Sequence, residues 1–397
     1  MIKIEDSTKC CGCSACAAAC PHSCINILSD KEGFYYPQVD EAQCVDCGVC
    51  TAICPVINNK PEIKQDQICC VVQNKNLDIL KDSTSGGAFT SFAEYIIKQH
   101  GIVVGAAFNE DFLVEHVIVD SIEGLIKFRN SKYVQSYISP TIYKKIKESL
   151  ESGRPVCFSG TLCQVEGLRA FLGDYNPRHL LCVDVVCRAV PSPLIFKKYL
   201  EYQTYKNKAE VKEIKFRDKK FGYSFPTVCV NYKGRKNYNR GLESDPWLRA
   251  FMSGICNRPS CYECVFKKRY RSSDLTLWDC FDYNSKFGNM LPNLGATNVL
   301  IQSSKGEQVF KMVASSLIYE TVETDKQLSR IKEMTNSTPC DNRRKRFFKD
   351  ALSLNGLELF NKYFPIGFKY NLLFYGRRLA MKLGIYDYIR TAYKGKR

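Results

Sequence analysis

The cysteines between residues 10 and 55 form the pattern in this sequence that most clearly implies chemistry. They occur in two runs of identical spacing, Cys10-x-x-Cys13-x-x-Cys16-x-x-x-Cys20-Pro21 and Cys44-x-x-Cys47-x-x-Cys50-x-x-x-Cys54-Pro55. In runs of this kind the first three thiolates bind one [4Fe–4S] cube, and the fourth thiolate completes the cube of the other run. The spacing therefore predicts one cluster on Cys10, Cys13, Cys16 and Cys54, and a second on Cys44, Cys47, Cys50 and Cys20.

A structural zinc site or a disulfide framework is the alternative interpretation of these cysteines. Structural zinc is usually bound by separated Cys-x-x-Cys pairs, whereas two matched runs that each end in Cys-Pro are atypical of zinc. Pro21 and Pro55 bend the chain after the last cysteine of each run, and Gly12 and Gly48 let backbone amides approach the inorganic sulfurs. The arrangement resembles the two-cluster bacterial ferredoxin.

Length and composition limit what surrounds these runs. A chain of 397 residues is long enough for two or three domains. The N-terminus does not read as an export signal, and no run approaches the roughly 18 apolar residues of a membrane span. With 22 cysteines and no export signal, we expect ligands and free thiols rather than disulfides, and hence a cytoplasmic protein.

The net charge of +16 is unevenly distributed. Residues 341–397 contain 14 Lys and Arg against 4 Asp and Glu, which leaves the preceding chain nearly balanced. In this tail, basic and apolar residues alternate at helical spacing, as in helices that lie on anionic membranes. The alternative is a solvated helix that docks on the body of the protein. Nucleic-acid binding is not expected, since no binding motif accompanies the charge.

The remaining chain alternates between short β-branched runs and helical stretches, which predicts an α/β fold. Strands are predicted at Ile102–Phe108, Val114–Val119, Pro155–Ser159, Leu180–Cys187, Val211–Phe216, Thr227–Tyr232, Asp274–Leu277 and Thr297–Gln302. Helices are predicted at Gly86–Gln99, Ser139–Ser152, Leu162–Leu172, Pro193–Tyr202 and Gly306–Ser315. The expected domains are a two-cluster ferredoxin-like domain at 1–60, a larger mixed α/β domain at 68–335 and a basic helical tail at 336–397.

Two predicted strand-to-helix or loop-to-helix turns could hold a phosphate group. One is Ser83-Thr-Ser-Gly-Gly-Ala88, and the other is Gly160-Thr-Leu-Cys-Gln164. Helix N-termini offer unpaired N–H groups, and glycines there allow close approach of an anion. An ordinary helix cap is the alternative for the first of these turns. Four further cysteines, Cys163, Cys187, Cys261 and Cys264, could form a third cluster site, although spacing alone does not establish it.

Several segments of the larger domain are similar to the β-subunit family of coenzyme F420 hydrogenase/dehydrogenase. They are Ser85-Gly-Gly, Ser131-Lys-Tyr-Val-Gln-Ser136, Ser159-Gly-Thr-Leu-Cys-Gln164, Val186-Cys-Arg-Ala-Val-Pro-Ser192, Phe216-Arg-Asp-Lys-Lys-Phe-Gly222, Arg258-Pro-Ser-Cys-Tyr-Glu-Cys264 and Ser273-Asp-Leu-Thr-Leu-Trp-Asp279. The resemblance implies FAD and a [4Fe–4S] cluster in this domain. It implies cluster ligands at Cys163, Cys187, Cys261 and Cys264, and flavin contacts near Ser85, Gly86, Gly87, Lys132, Gly160 and Thr161. Arg188 stands where the family often has histidine.

The resemblance implies an iron–sulfur flavoprotein oxidoreductase, similar to bacterial relatives with an N-terminal ferredoxin domain that often accompany polysaccharide-synthesis enzymes. Electrons are expected to enter from ferredoxin or a similar carrier, to pass the clusters and FAD, and to reach an unidentified small-molecule or lipid-linked substrate. The alternative is a non-catalytic subunit that relays electrons to a partner enzyme. Peripheral membrane contact through the basic tail is a further hypothesis.

Overall fold

The structure is a computed structural model that describes residues 1–173, 175, 178–283 and 287–386. Its N-terminal part contains the helices α1 (Ala15–Ala19) and α2 (Val49–Ala52) and a hairpin of the antiparallel strands β1 (Ile25–Ser29) and β2 (Tyr35–Val39). The other strands are β3 (Ile68–Asn74), β4 (Ile102–Phe108), β5 (Val114–Val119), β6 (Ser136–Tyr137), β7 (Val156–Thr161), β8 (Leu180–Val185), β9 (Val211–Asp218), β10 (Thr227–Tyr232), β11 (Arg235–Gly241), β12 (Leu275–Asp279), β13 (Thr297–Ile301) and β14 (Leu317–Val322). The other α-helices are α3 (Leu77–Asp82), α4 (Ala88–Lys98), α5 (Pro140–Glu151), α6 (Leu162–Leu172), α7 (Pro193–Asn207), α8 (Pro246–Ser253), α9 (Ser304–Val313), α10 (Thr324–Leu328), α11 (Arg344–Ser353), α12 (Gly356–Tyr363) and α13 (Phe368–Lys382).

The main sheet has nine strands in the order β14-β3-β13-β12-β8-β7-β4-β5-β6. Strands β12, β8, β7 and β4 run parallel to one another. Strand β3 points in the same direction, because the intervening β13 is antiparallel to both β12 and β3. The C-terminal ends of these five strands therefore lie along one side of the sheet, here called the carboxyl edge. Open α/β sheets gather their ligands at this edge.

Helices cover both faces of the central strands. On one face α4 and α9 pack through Phe92 and Phe310, and on the other α5 and α6 pack through Tyr143 and Leu168. Strand β8 is buried along nearly its whole length, which explains its continuous apolar sequence. This arrangement confirms the predicted α/β class.

A second sheet of three antiparallel strands, β11-β10-β9, forms a separate core with α7, α8 and α12. Its centre is aromatic, and Phe196 and Trp247 lie 5.2 Å apart between ring centroids. The predicted tail contributes to this core, because Phe347 of α11 and Phe360 of α12 are fully buried. Residues 387–397 of the tail lie outside the described part of the chain.

The structure also corrects the predicted element list. In the larger domain it adds the strands β3, β6, β11 and β14, which were not predicted, and it places β3 beside β14 at one side of the main sheet. Cys69, Cys70, Val71 and Val72 of β3 are all buried, so this strand, like β8, lacks the alternation of a half-buried strand. Within the described residues, the helices all lack the length and apolar character that crossing a membrane requires.

Candidate functional site

The backbone around the two cysteine runs repeats a local conformation. Gly12 and Ser14 flank Cys13 with φ of 74° and 64°, and Asp46 and Gly48 flank Cys47 with φ of 51° and 74°. Left-handed residues in such turns direct backbone N–H groups into a concavity, which is a common environment for anions and iron–sulfur groups. Sequence reasoning identified the glycines. It missed Ser14 and Asp46, which adopt the same conformation without being glycine.

The second run surrounds a cavity of about 320 Å³, here called the outer cavity. Its lining includes Cys44, Cys47 and Cys50 together with Cys20 from the first run. Cys47 is exposed to solvent, unlike the other three. The structure thus brings together the four cysteines that the spacing assigned to one cluster, at a position open to a redox partner.

The first run surrounds a larger cavity of about 390 Å³, here called the inner cavity. Cys10, Cys13 and Cys16 line it together with Cys54 from the second run. Burial raises the pKa of the Cys16 thiol to about 12, so ionisation of this side chain depends on a nearby positive charge such as bound iron. The donor set contains only sulfur, which fits a [4Fe–4S] group.

The four cysteines of the predicted third site converge at the carboxyl edge. Cys163 begins α6 after β7, Cys187 follows β8, and Cys261 and Cys264 lie in the turn after α8. Burial raises the pKa of Cys261, and the neighbouring thiols of Cys187, Cys264 and Cys163 raise it further. Among the described residues, no group of three or more His, Cys, Asp or Glu side chains is arranged to bind a single metal ion. A cube with a separate iron for each thiolate does not require that geometry.

Helix α6 brings the inner cavity and the third cysteine set into contact. One turn after Cys163, a Cβ added to Gly167 would come within 2.7 Å of Cys13 Cβ and 3.0 Å of Cys13 Sγ. The thiol of Cys11, which lines the inner cavity, lies beside both Cys13 and Cys163. Only a residue without a side chain permits this approach, so Gly167 allows the two sets to pack directly.

Arg258 joins the same two sets from another side. Its side chain is only 1% exposed, and it donates from Nε to Cys10 O at 2.9 Å and from Nη2 to Tyr35 O at 3.0 Å. The guanidinium also lies 4.1 Å from the ring centroid of Tyr36. Its positive charge is close enough to interact electrostatically with the thiols of both Cys10 and Cys261. This buried cation is therefore placed to offset negative charge between the inner cavity and the third set.

Three cysteines outside the predicted ligand sets have distinct surroundings. Cys11 and Cys24 line the inner and outer cavities, and Cys24 Sγ is 3.4 Å from Cys20 Sγ. Neither was predicted as a ligand, although both lie close to the first run in the sequence. Cys256, five residues before Cys261, packs in the aromatic core of the second sheet.

The predicted flavin contacts in the 85–87 turn lie at the start of α4, on the carboxyl edge. Ser85 Oγ donates to Ala296 O at 2.5 Å, and Gly86 N donates to Thr297 Oγ1 at 2.8 Å. A Cβ on Gly86 would lie 2.3 Å from Val72 O, so close backbone packing by itself explains this glycine. Gly87 caps α4 with φ 75° and without a side-chain hydrogen bond. The first N–H groups of α4 therefore suit an anionic ligand.

Lys132 lies on the loop next to this turn, as the 3.0 Å contact between Thr84 Oγ1 and Ser131 Oγ shows. Its Nζ donates to Lys127 O at 2.7 Å and to Arg129 O at 2.8 Å. Burial lowers the pKa of Lys132 to about 7. These contacts use two of its three N–H donors, so the third suits a ligand.

Gly160 and Thr161 lie further along the edge, beside the third cysteine set. The N–H of Thr161 donates to Gln164 Oε1 at 2.9 Å, and the same side chains form a capping box on α6. The Thr161 hydroxyl lies 3.0 Å from Cys163 Sγ. Thr161 therefore caps α6 and positions Cys163, and these contacts account for its presence without a flavin.

Lys219, a basic side chain that was not predicted as a flavin contact, lies beside the 85–87 turn. Lys219 Nζ donates to Ser85 O at 2.6 Å, and burial lowers the pKa of this lysine to about 7. Arg217 Nη1 lies 3.3 Å from Asp279 Oδ2, whereas Nε and Nη2 of Arg217 are buried without a hydrogen-bond partner among the described residues. Unpaired guanidinium donors fit an acidic or carbonyl-bearing ligand. In the sequence, the basic residues of the segment Arg217-Asp-Lys-Lys220 could have indicated a contact with an anionic ligand.

Two family models match separate parts of the chain. Residues 153–327 match the family that is described as the C terminus of the coenzyme F420 hydrogenase/dehydrogenase beta subunit. Residues 9–58 match the 4Fe-4S dicluster domain. No match was found among curated proteins. A chain from the F420-reducing [NiFe] hydrogenase complex of Methanosarcina barkeri, solved after xenon derivatization, aligns with a TM-score of 0.43 and 17% identity, over 74% of this chain and 89% of that one.

The two matched regions divide the twelve candidate ligands between them. Residues 9–58 contain the eight cysteines of the two runs, and residues 153–327 contain Cys163, Cys187, Cys261 and Cys264. The resemblance read from the sequence is thereby confirmed. Residues 153–327 therefore form a domain that matches the C terminus of the coenzyme F420 hydrogenase/dehydrogenase beta subunit, and residues 9–58 form a [4Fe–4S] dicluster domain, which together make this an oxidoreductase-like iron–sulfur chain.

Proposed function

We propose that this chain is an iron–sulfur flavoprotein oxidoreductase. Electrons from ferredoxin or a similar low-potential carrier enter at the outer cavity, continue to the inner cavity and the third cysteine set, and reach FAD at the carboxyl edge. The observation that carries the proposal is the order of the three cysteine sets. The exposed Cys47 marks the first, and Cys11 and Gly167 link the second to the third.

The order of the sets gives each of them a separate task. The outer set is the one with an exposed cysteine, so a carrier meets it first. Three of the four cysteines of the inner set are buried, Cys10 is half-buried, and the set touches α6, so it connects the outer set with the sheet. Arg258 supports this step by fixing the backbone of Cys10 and by placing positive charge between two sets that are negative when loaded.

FAD, when bound, would accept electrons singly and release them in pairs, which connects cluster chemistry with two-electron reduction of a substrate. The first turn of α4, Lys132 and Arg217 would hold its negatively charged and carbonyl groups. Burial keeps the pKa of Lys132 near 7, so this side chain can also hold or release a proton at Nζ near neutral pH.

The substrate is proposed to be a small molecule or lipid-linked compound of polysaccharide biosynthesis, a role that rests on the family resemblance. A second candidate is a relay subunit that passes electrons to a partner enzyme, and the description of the matched family as a beta subunit supports it. The two candidates differ in whether the reduced flavin of the isolated chain reacts with small oxidants. A flavin closed off by protein favours the relay.

The test is anaerobic reduction of the bound flavin by photoreduced ferredoxin, with the rate measured from the change in flavin absorbance. Cys47→Ser should remove about four irons per chain and slow flavin reduction by ferredoxin about tenfold or more, because the entry set is lost. Cys24→Ser is the matched control, since this residue lines the same cavity outside the predicted ligand set. It should retain both iron and rate.

The proposed route fails if electrons do not need the outer set. Rapid reduction of the flavin by a nicotinamide nucleotide in a chain with both Cys47→Ser and Cys50→Ser would show this. Absence of flavin from anaerobically purified protein, even after incubation with FAD, would refute the flavoprotein assignment itself.

A further inference from the structure

Helix α13 presents a continuous apolar stripe to solvent. The stripe consists of Phe368, Leu372, Tyr375, Leu379 and Leu383, and all five side chains are exposed, with Phe368 at 82% and Leu372 at 61%. Their spacing of four, three, four and four residues places them on one face of a helix. Exposed apolar side chains aligned in this way mark an interaction surface rather than scattered surface residues.

The opposite face of α13 anchors the helix to the protein, so the stripe has a fixed orientation. Phe374 and Ala380 are buried, and the Phe374 ring lies 6.0 Å from the ring of Phe225 and 4.8 Å from the guanidinium of Arg240. Arg377 on the same face forms a 2.7 Å ion pair with Glu243. Because this face is occupied by the body, the stripe points away from it.

Basic side chains border the stripe on both sides. At 100° per residue, Lys369 falls on one flank, and Arg378 and Lys382 fall on the other. All three are exposed, and in the part of the chain that the structure describes none has a carboxylate partner. The excess of 14 basic over 4 acidic residues in 341–397 extends this positive character. An apolar face with cationic borders matches the interface of an anionic bilayer.

We propose that α13 binds the protein to the surface of an anionic membrane, with the stripe inserted among the lipid headgroups and acyl chains. The helix has 15 residues, about 22 Å of axial rise, which is too short for a hydrocarbon core of about 30 Å. It therefore lies in the plane of the interface. The proposal needs neither the clusters nor the flavin, so it stands or falls independently of the proposed function.

A second copy of the chain is the competing occupant of the stripe, and the charges argue against it. In a two-fold dimer the same patch meets itself, so Lys369, Arg378 and Lys382 of both helices would be brought together. Like charges placed opposite each other disfavour association. An anionic lipid surface instead pairs with all three.

The test uses the full chain in vesicle flotation, with phosphatidylcholine vesicles that contain or lack phosphatidylglycerol. We expect binding about tenfold or more stronger to the anionic vesicles, since each basic residue near such a surface adds roughly a factor of five. Leu372→Asp should weaken binding to anionic vesicles about tenfold or more, because an apolar contact becomes a repelled charge. Replacing Lys369, Arg378 and Lys382 with glutamine should remove the preference for phosphatidylglycerol.

Leu352→Asp is the matched control. Leu352 lies on α11 in the same basic tail and is exposed to the same 61% as Leu372, so its substitution should leave vesicle binding unchanged. Equal binding to neutral and anionic vesicles, or unchanged binding of Leu372→Asp, would overturn the proposal. So would a dimer in sedimentation experiments that Leu372→Asp dissociates, because the stripe would then be covered by a second copy.

Discussion

Replacement of Arg258 by leucine tests whether this side chain holds the N-terminal cysteine runs against the main sheet. Leucine retains an apolar side chain but removes the guanidinium that donates to Cys10 O and Tyr35 O. Both acceptors belong to the first 56 residues, whereas Arg258 belongs to the larger domain. The substitution therefore removes contacts between the two parts of the chain.

The expected loss can be worked out from these contacts. Each backbone carbonyl that loses its donor in a buried position costs about 1–3 kcal/mol. The cation above the Tyr36 ring, at 4.1 Å, contributes about 1–2 kcal/mol where it is desolvated. The removed cost of burying a charge offsets part of this sum. We expect a net destabilisation of about 3 kcal/mol.

Hydrogen exchange followed by mass spectrometry measures this local effect. A loss of about 3 kcal/mol should accelerate exchange in peptides from β1 and β2 about a hundredfold, while peptides from β7 change little. Arg154→Leu is the control, because Arg154 forms a largely exposed ion pair with Asp120. Its loss should lower the free energy of unfolding by less than about 0.5 kcal/mol. Exchange in β1 and β2 within about threefold of wild type would refute the role assigned to Arg258.

Three further outcomes are expected. Iron analysis of anaerobically prepared protein should give about 12 irons per chain. Cys261→Ala should remove about four of them, while the ferredoxin-type electron paramagnetic resonance signals remain. About eight irons in the fully loaded wild type would contradict the third cluster. Lys132→Ala should release flavin on desalting, and full retention with an unchanged reduction potential would contradict its assignment. Burial raises the pKa of Asp245 from its usual 3.8 to about 6 in the folded protein, so its contribution to stability is present below about pH 4 and lost as the pH rises through 6. The free energy of unfolding of wild type relative to Asp245→Asn should therefore fall by up to about 3 kcal/mol across this window, and a constant difference from pH 4 to 7 would refute this.

The two cysteine runs were interpretable from the sequence because their ligand spacing is local. Within each run, successive thiols are three or four residues apart, which is the spacing that bacterial two-cluster ferredoxins use. The exchange of the fourth cysteine between the runs also followed from the spacing, and the structure places Cys20 and Cys54 in the cavities that this exchange requires. Strongly patterned elements such as α6 were predicted with their observed bounds for the same local reason.

The tertiary structure alone decided what lies next to what at the carboxyl edge. Cys163 and Cys261 are 98 positions apart in the sequence. Parallel pairing of β7 with β8 sets the strand ends near Cys163 and Cys187 side by side, and the bridge between Pro191 and Asn257 brings the loop of Cys261 to them. The link through Cys11 and Gly167, like the contact of Arg258 with Cys10, depends on how the N-terminal part docks on α6. The outward direction of the α13 stripe was likewise undecided until Phe374 was found buried on the opposite face. Periodicity specifies that a helix has two faces, but the packing of the whole chain determines which of them remains uncovered.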